Sequence, residues 1–291
     1  MDKNRTPQII DTHSHSDFSP DSKTKLKEMV AAAVSEGLAG IAITDHLDLK
    51  TPDGDTRFTF DIAKQQNEID EIRNSYEISN GLNSNNDNYG IEILKGIEIG
   101  LQSHNLEDIK EYVQGCTFDS IIASIHFVDG VDPYYGSYYE GLTEKKAYGR
   151  YLELMYSLIT TYQDFDILGH YDYIARYAPY AKYSILYKDY SDIFDSIFKY
   201  LVYNGKALEI NTNTYRTRNG KTPVLDPHIL KRYLDLGGEF ITLGSDAHTT
   251  DRIGEQFSHY LKLAYDCNFR YITHYKERKP VPQKIQMSHF M

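Results

Sequence analysis

Seven short apolar runs punctuate this chain, and each leads into a helical pattern or a long loop. The runs are Ile9-Ile10, Gly40 to Thr44, a stretch within Ile91 to Leu101, Phe118 to Ile125, Phe165 to Leu168, Ala207 to Ile210 and Phe240 to Leu243. Between them, apolar residues recur at the 3.6-residue period of a helix: Leu26, Met29, Val30, Ala33 and Val34 are one such face. Asp21-Ser22 is placed to cap that helix and Gly37 to end it. Further helical patterns cover Asp61 to Ile78, Leu106–Val113, Lys145–Thr161, Tyr187–Tyr203, Pro227–Leu236 and Arg252–Tyr265. Repeated strand-helix units imply parallel strands, which either close into a barrel or lie open as a doubly wound sheet. No G-x-G-x-x-G and no P-loop follows a strand, which counts against the nucleotide-binding versions. The Asn- and Gly-rich stretch Asn80 to Gly90 reads as a surface loop, because the alternation resumes after it. Barrels of this class use roughly 250 residues as one unit, so residues 1–291 are expected to form a single domain.

The histidines sharpen this picture. Six of the 11 fall just after a strand: His13 and His15, His46, His126, His170 and His248. Carboxylates take comparable places at Asp21, Glu98 and Asp246. In parallel α/β folds the C-terminal strand ends share one face, and sites assemble there. In an extended segment, residues i and i+2 point the same way, which sets His13 beside His15 and Asp246 beside His248. Any one of these histidines is most simply a satisfied polar group at a strand end. Six together, with three matching carboxylates, point to a metal site. Imidazole with carboxylate suits zinc, iron or manganese rather than calcium. The other histidines, 104, 228, 259, 274 and 289, lie on helical or terminal stretches and are expected mostly at the surface, with His104 held open as a site residue.

Composition limits the partners. The formal charge of −11 argues against nonspecific nucleic-acid or membrane binding. It would also repel a phosphate substrate unless bound cations and local arginines reverse the field at the site. Cys116 and Cys267 are too few for a disulfide scaffold and read as packed thiols. The first residues have no apolar signal core, and no run approaches the ~20 apolar residues of a membrane span, so a cytoplasmic location is expected.

The ordered series His-x-His, Asp-His, Gly-Ile-Glu, Ser-x-His, Gly-His and Asp-x-His resembles the PHP (polymerase and histidinol phosphatase) superfamily, and within it the histidinol-phosphate phosphatases. The resemblance extends from Asp11 to beyond His248. It implies a distorted, TIM-like, seven-stranded parallel (β/α)7 barrel holding three divalent metal ions. It assigns His13, His15, Glu98 and Asp246 to the first metal. Glu98 bridges to a second metal with His126 and His170. Asp21, His46 and His248 take the third, with Asp17 an alternative to Asp21. Water activated by such cations is a nucleophile near neutral pH, and in-line attack on phosphorus needs no phosphoenzyme. Ser14 and Ser124 are then supporting residues rather than nucleophiles.

Two arginines stand out as phosphate clamps and catalytic groups, Arg176 six residues after His170 and Arg216 after the 208–215 segment. Guanidinium pairs two donors with two phosphate oxygens. The resemblance supports both segments; Arg218 is a third contender, and Glu209 and Asn211 are expected to support the site. The Tyr-rich segments Asp132–Glu140 and Tyr171–Tyr183 are read equally as pocket walls or surface packing. The expected reaction is hydrolysis of L-histidinol phosphate, a small phosphomonoester; the general acid is open between a metal-bound water, Asp17, Asp48 and His104. Another phosphoesterase of the superfamily is the first alternative, and a non-catalytic PHP domain the second.

Overall fold

The computed structural model describes residues 9–79 and 90–286. All but the last residue of the predicted 80–90 loop lies outside that range, as do His289 and the first eight residues. Among the described residues, seven α-helices surround a sheet of parallel strands. The strands are β1 (Ile10–Asp11), β2 (Gly40–Ile43), β3 (His46–Leu47), β4 (Glu92–Gly100), β5 (Ser120–Ser124), β6 (Ile167–Leu168), β7 (Ala207–Asn211) and β8 (Ile241–Gly244). Their order is β1-β2-β4-β5-β6-β7-β8. β3 resumes the line of β2 after two residues and pairs with the same neighbour, β4, so there are seven strand positions. The sheet then nearly closes on itself. Beyond β1, Thr12 N–H donates to the Leu243 carbonyl at 3.1 Å and His15 N–H to the Ala247 carbonyl at 2.8 Å. Asp246 N–H donates back to the His13 carbonyl at 2.8 Å. This is a TIM-like α/β barrel, one of the two arrangements that the alternation allowed and the one that the resemblance implied.

The helices are α1 (Leu26–Ser35), α2 (Ile62–Ser79), α3 (Leu106–Val113), α4 (Glu144–Thr161), α5 (Ser191–Tyr203), α6 (Pro227–Asp235) and α7 (Phe257–Asp266). Their starts carry expected signals: Asp61 accepts from Lys64 N–H, and Asp226, followed by Pro227, accepts from His228 N–H. The predicted cap of α1 is a correction. Lys25 sits at the N-cap, backed by Glu28, while Ser22 donates to the His248 carbonyl at 2.9 Å and Asp21 faces the histidines. The barrel-mouth residues took those two side chains first. The main core lies between sheet and helices, where Tyr148, Tyr151, Leu152 and Met155 of α4 meet Phe194, Ile197 and Phe198 of α5. Each such side chain contributes roughly 1.5–3 kcal/mol on burial.

A feature not predicted is the antiparallel hairpin of β9 (Tyr271–Lys276) and β10 (Lys279–Lys284). Two prolines in β10 masked it, because they read as loop. Its two-residue turn has positive φ at Glu277 and Arg278, 50° and 63°. Tyr275 packs against Ile122, Ile167 and Ala207, and Arg278 pairs with Asp164 and Asp166 just before β6. The hairpin therefore covers the N-terminal end of the barrel and leaves the opposite mouth free. His274, expected on a helical or terminal surface stretch, is buried on β9. No helix among the described residues is long and apolar enough to cross a membrane.

Candidate metal centre

The C-terminal strand ends bring the nine predicted ligand residues to one place. Glu98, near the end of β4, is the hub. Its Oε1 accepts from Ser124 Oγ at 2.6 Å and lies 2.7 Å from His170 Nε2 and 3.3 Å from His126 Nε2. Its Oε2 lies 2.8 Å from His46 Nδ1, 3.3 Å from His13 Nε2 and 3.5 Å from His15 Nε2. Asp246 Oδ1 is 3.3 Å from His15 Nε2 and 4.0 Å from His13 Nε2. Asp21 Oδ2 is 3.1 Å from His248 Nε2 and 3.6 Å from His46 Nε2. Three overlapping groups have ligand atoms within 4.8 Å of one another: His13, His15 and Glu98; His15, His46 and His248; His46, Glu98 and His126.

The local backbone explains the convergence. His13 and His15 project from one side of an extended segment, and their Nε2 atoms meet at 3.1 Å. Asp246 and His248 do not follow that rule. Asp246 has φ 49°, a left-handed conformation open to Asp, so the chain turns there and still delivers both side chains to the site. Two glycines make room. A Cβ on Gly100 would lie 1.8 Å from Asp48 Oδ1, and one on Gly244 would lie 2.5 Å from both Glu209 Oε1 and His13 Cβ.

Four of the rings have an outer nitrogen tied to an acceptor. His13 Nδ1 donates to Glu209 Oε1 at 2.6 Å, His126 Nδ1 to Asp48 Oδ1 at 2.9 Å, and His248 Nδ1 to the Asp246 carbonyl at 3.1 Å. His15 Nδ1 donates to Ser19 Oγ at 3.2 Å, and the Ser19 hydroxyl donates in turn to Asp45 Oδ1 at 2.8 Å. Each of these rings therefore turns an Nε2 lone pair inward. The His13 and His15 Nε2 atoms, facing at 3.1 Å, need a shared proton or a bound cation between them. Glu98 Oε2 and His46 Nδ1, buried and 2.8 Å apart, are not aligned as a hydrogen bond, and His170 Nδ1 is likewise buried without a hydrogen-bond partner. This donor set fits a borderline divalent cation such as zinc, with carboxylates behind the imidazoles.

The electrostatics agree. Burial opposes charge on His13, yet Glu209, Glu98 and Asp246 raise its pKa well above the ordinary value. Burial likewise opposes the His126 imidazolium, but Asp48 and Glu98 push its pKa up to about 10. Burial would raise Glu98, whereas His13, His46 and His126 hold it well below the usual carboxylate range. Burial, with His46 and His248 nearby, lowers His15 well below its ordinary value. The carboxylates at the centre favour positive charge on His13, His46 and His126, while burial dominates at His15.

A cavity of about 320 Å³ opens over these groups. Its lining includes Asp21, His46, His126, His170, Asp246 and His248, together with Arg176, Asn213 and Asp48. Arg176 is buried, with Nη1 2.9 Å from Asp246 Oδ2. Arg216 and Arg218 are not in the lining. Arg216 pairs with Glu255 and donates to Asn213 Oδ1 at 2.9 Å, and Arg218 donates to the Asn213 carbonyl at 2.8 Å. Both stand behind Asn213, which lines the cavity. Asp17 is drawn away by Lys25, and the exposed His104 bonds to the Lys50 carbonyl at 3.0 Å. Of the side chains considered as general acid, Asp48 alone reaches the lining. The tyrosines divide: Tyr134, Tyr135, Tyr173 and Tyr177 wall the cavity, while Tyr138, Tyr139 and Tyr171 pack into the core. Asp45, which accepts from Ser16, Ser19 and Gln65, was missed. Its place beside His46 was the only signal.

A barrel whose C-terminal mouth gathers histidines around one central carboxylate defines a metallo-barrel. The chain belongs to the PHP domain family, matching it over residues 11–213. It is 36% identical over 262 residues to a probable histidinol-phosphatase of Clostridium acetobutylicum, covering 90% of this chain and 95% of that one. It is 31% identical over 244 residues to the histidinol-phosphatase of Lactococcus lactis, covering 84% and 85%. The crystal structure of histidinol phosphate phosphatase from Lactococcus lactis, complexed with zinc, L-histidinol and phosphate, superposes with a TM-score of 0.81 at 27% identity, covering 94% of this chain and 99% of that one.

Proposed function

We infer that this protein is a metal-dependent phosphomonoesterase that converts L-histidinol phosphate and water to L-histidinol and phosphate, a step of histidine biosynthesis. The observation that carries the reading is the convergence of imidazole nitrogens on the Glu98 carboxylate, with His13 held from behind by Glu209 and His126 by Asp48. The relatives named histidinol-phosphatase, one with zinc, L-histidinol and phosphate bound, support the choice of metal chemistry and substrate.

Three divalent ions are proposed, of zinc, iron or manganese. His13, His15, Glu98 and Asp246 would hold the first, Glu98, His126 and His170 the second, and Asp21, His46 and His248 the third. Bound ions supply positive charge to the phosphate oxygens and lower the pKa of water. The chain's own groups do the rest. Glu209, Asp48 and Ser19 orient the rings. Arg176 offers its guanidinium to the phosphate beside Asp246, and Arg216 and Arg218 support that end of the cavity through Asn213. Asp132, Asp48 and Asp53, set among Phe58, Tyr134 and Tyr135, make an acidic and aromatic wall suited to a cationic amino alcohol. Residues 1–291 are taken as one catalytic domain, since the main hydrophobic cluster runs from Ile9 to Ile285.

A panel of phosphomonoesters tests the reading with purified, metal-loaded protein. L-Histidinol phosphate is expected to have the highest kcat/KM, above nucleotides, sugar phosphates and phosphotyrosine. A rate no better than that for p-nitrophenyl phosphate would remove the substrate assignment.

A further inference from the structure

Arg176 is fixed on three sides. Its Nη1 lies 2.9 Å from Asp246 Oδ2, its Nη2 donates to Asn211 Oδ1 at 3.0 Å, and its Nε donates to Thr214 Oγ1 at 3.0 Å. A guanidinium has five N–H bonds, so one remains free on each terminal nitrogen. That is the fork that grips two phosphate oxygens. Its aim depends on the plane of the group, and the Nε contact sets that plane from behind.

The Thr214 hydroxyl has one proton. Asp172 Oδ1 takes it at 3.0 Å, which leaves an oxygen lone pair facing Arg176 Nε. Asp172 is buried and is not among the cavity-lining residues. It precedes the 173–176 turn after β6, whereas Thr214 lies in the 212–215 turn after β7. The contact thus ties two barrel-mouth turns to one side chain. We propose that Asp172 is a positioning residue that acts through the Thr214 hydroxyl to orient the Arg176 guanidinium toward the substrate phosphate. The proposal rests on the reading of Arg176 as the phosphate-gripping group.

The full-length, zinc-loaded protein tests it, with inorganic phosphate as a competitive inhibitor. Thr214→Val removes the hydroxyl at constant shape, Thr214→Ser keeps it, and Asp172→Asn removes the charge. Thr214→Val is expected to raise the phosphate inhibition constant and KM by about tenfold, the effect of one lost hydrogen bond, and Asp172→Asn, whose amide oxygen still accepts from Thr214, to raise both by less. Zinc content should stay at the wild-type level, and Thr214→Ser should behave as wild type. On an Arg176→Lys background, neither substitution should weaken phosphate binding further. Unchanged phosphate inhibition in Thr214→Val, or losses that add in full to those of Arg176→Lys, would overturn the proposal. If Asp172→Asn fails to fold, the Thr214→Val and Thr214→Ser pair decides alone. Failure of the underlying reading looks different: Arg176→Ala would then leave phosphate inhibition unchanged.

Discussion

Glu209 tests the ordering of the metal centre without touching a proposed ligand atom. Its Oε1 accepts from His13 Nδ1 at 2.6 Å. Its Oε2 accepts from His170 N–H at 2.7 Å and from Asn211 Nδ2 at 3.2 Å. Two oxygens thus serve three donors, and the carboxylate is fully enclosed. Glu209→Gln keeps the shape but has one acceptor oxygen. Whichever way the amide is turned, its NH2 faces either His13 Nδ1 or His170 N–H, donor against donor. A lost hydrogen bond to a charged group is worth about 1.5–3 kcal/mol, which corresponds to roughly 10- to 150-fold in affinity. Substitutions behind metal-bound histidines commonly cost about 10–100-fold. Competition with a chelator of known affinity reads this directly, with kcat/KM measured on the same samples. The expected result is metal affinity weakened by about 10–100-fold, with activity restored in part by excess zinc. Wild-type metal affinity in Glu209→Gln would refute the argument that Glu209 fixes the His13 tautomer.

Three further outcomes are expected. Exhaustive chelation should abolish phosphatase activity, and added zinc or manganese should restore it; activity surviving full metal removal, checked by elemental analysis, would exclude the mechanism. Gly100→Ala sets a methyl 1.8 Å from Asp48 Oδ1, so it should displace the carboxylate that holds His126 and reduce kcat/KM by at least about 10-fold; normal kinetics would show that Asp48 has room to move. The metal-free protein should lose stability on the alkaline side. The His126 pKa is raised from 6.5 to about 10, so its contribution is fully present below pH 6.5 and is lost as pH rises through about 10. Thermal melts across that window should fall for the chelated protein and stay flatter for the metal-loaded one, if His126 is the ligand proposed above.

The residues that act by chemical type were legible in the sequence, because strand ends converge in any parallel barrel. His13, His46, Glu98, His126, His170 and His248 could be placed together from that rule alone. Residues that act through geometry were harder to read. Asp48 lies two positions after His46, yet nothing in that spacing says it reaches His126, 78 residues away in the chain. Asp45 points to Ser16 and Ser19 instead, and only its neighbour's role hinted at it. The hairpin of β9 and β10 escaped because its prolines are tolerated on a free edge and its partner surface is the far end of the barrel.

The sequence by itself determined the alternation of strand and helix, the places of the seven strand positions along the chain and the chemical character of the centre. Periodicity and ligand type are local properties, and a chain carries them openly. The tertiary structure decided which carboxylate stands behind which imidazole, and it put Arg176 at the cavity with Arg216 and Arg218 behind Asn213. It also turned Asp246 through a left-handed conformation where an extended pair was expected. Those outcomes depend on ångström-scale competition between long-range partners, and spacing along the chain carries no record of it.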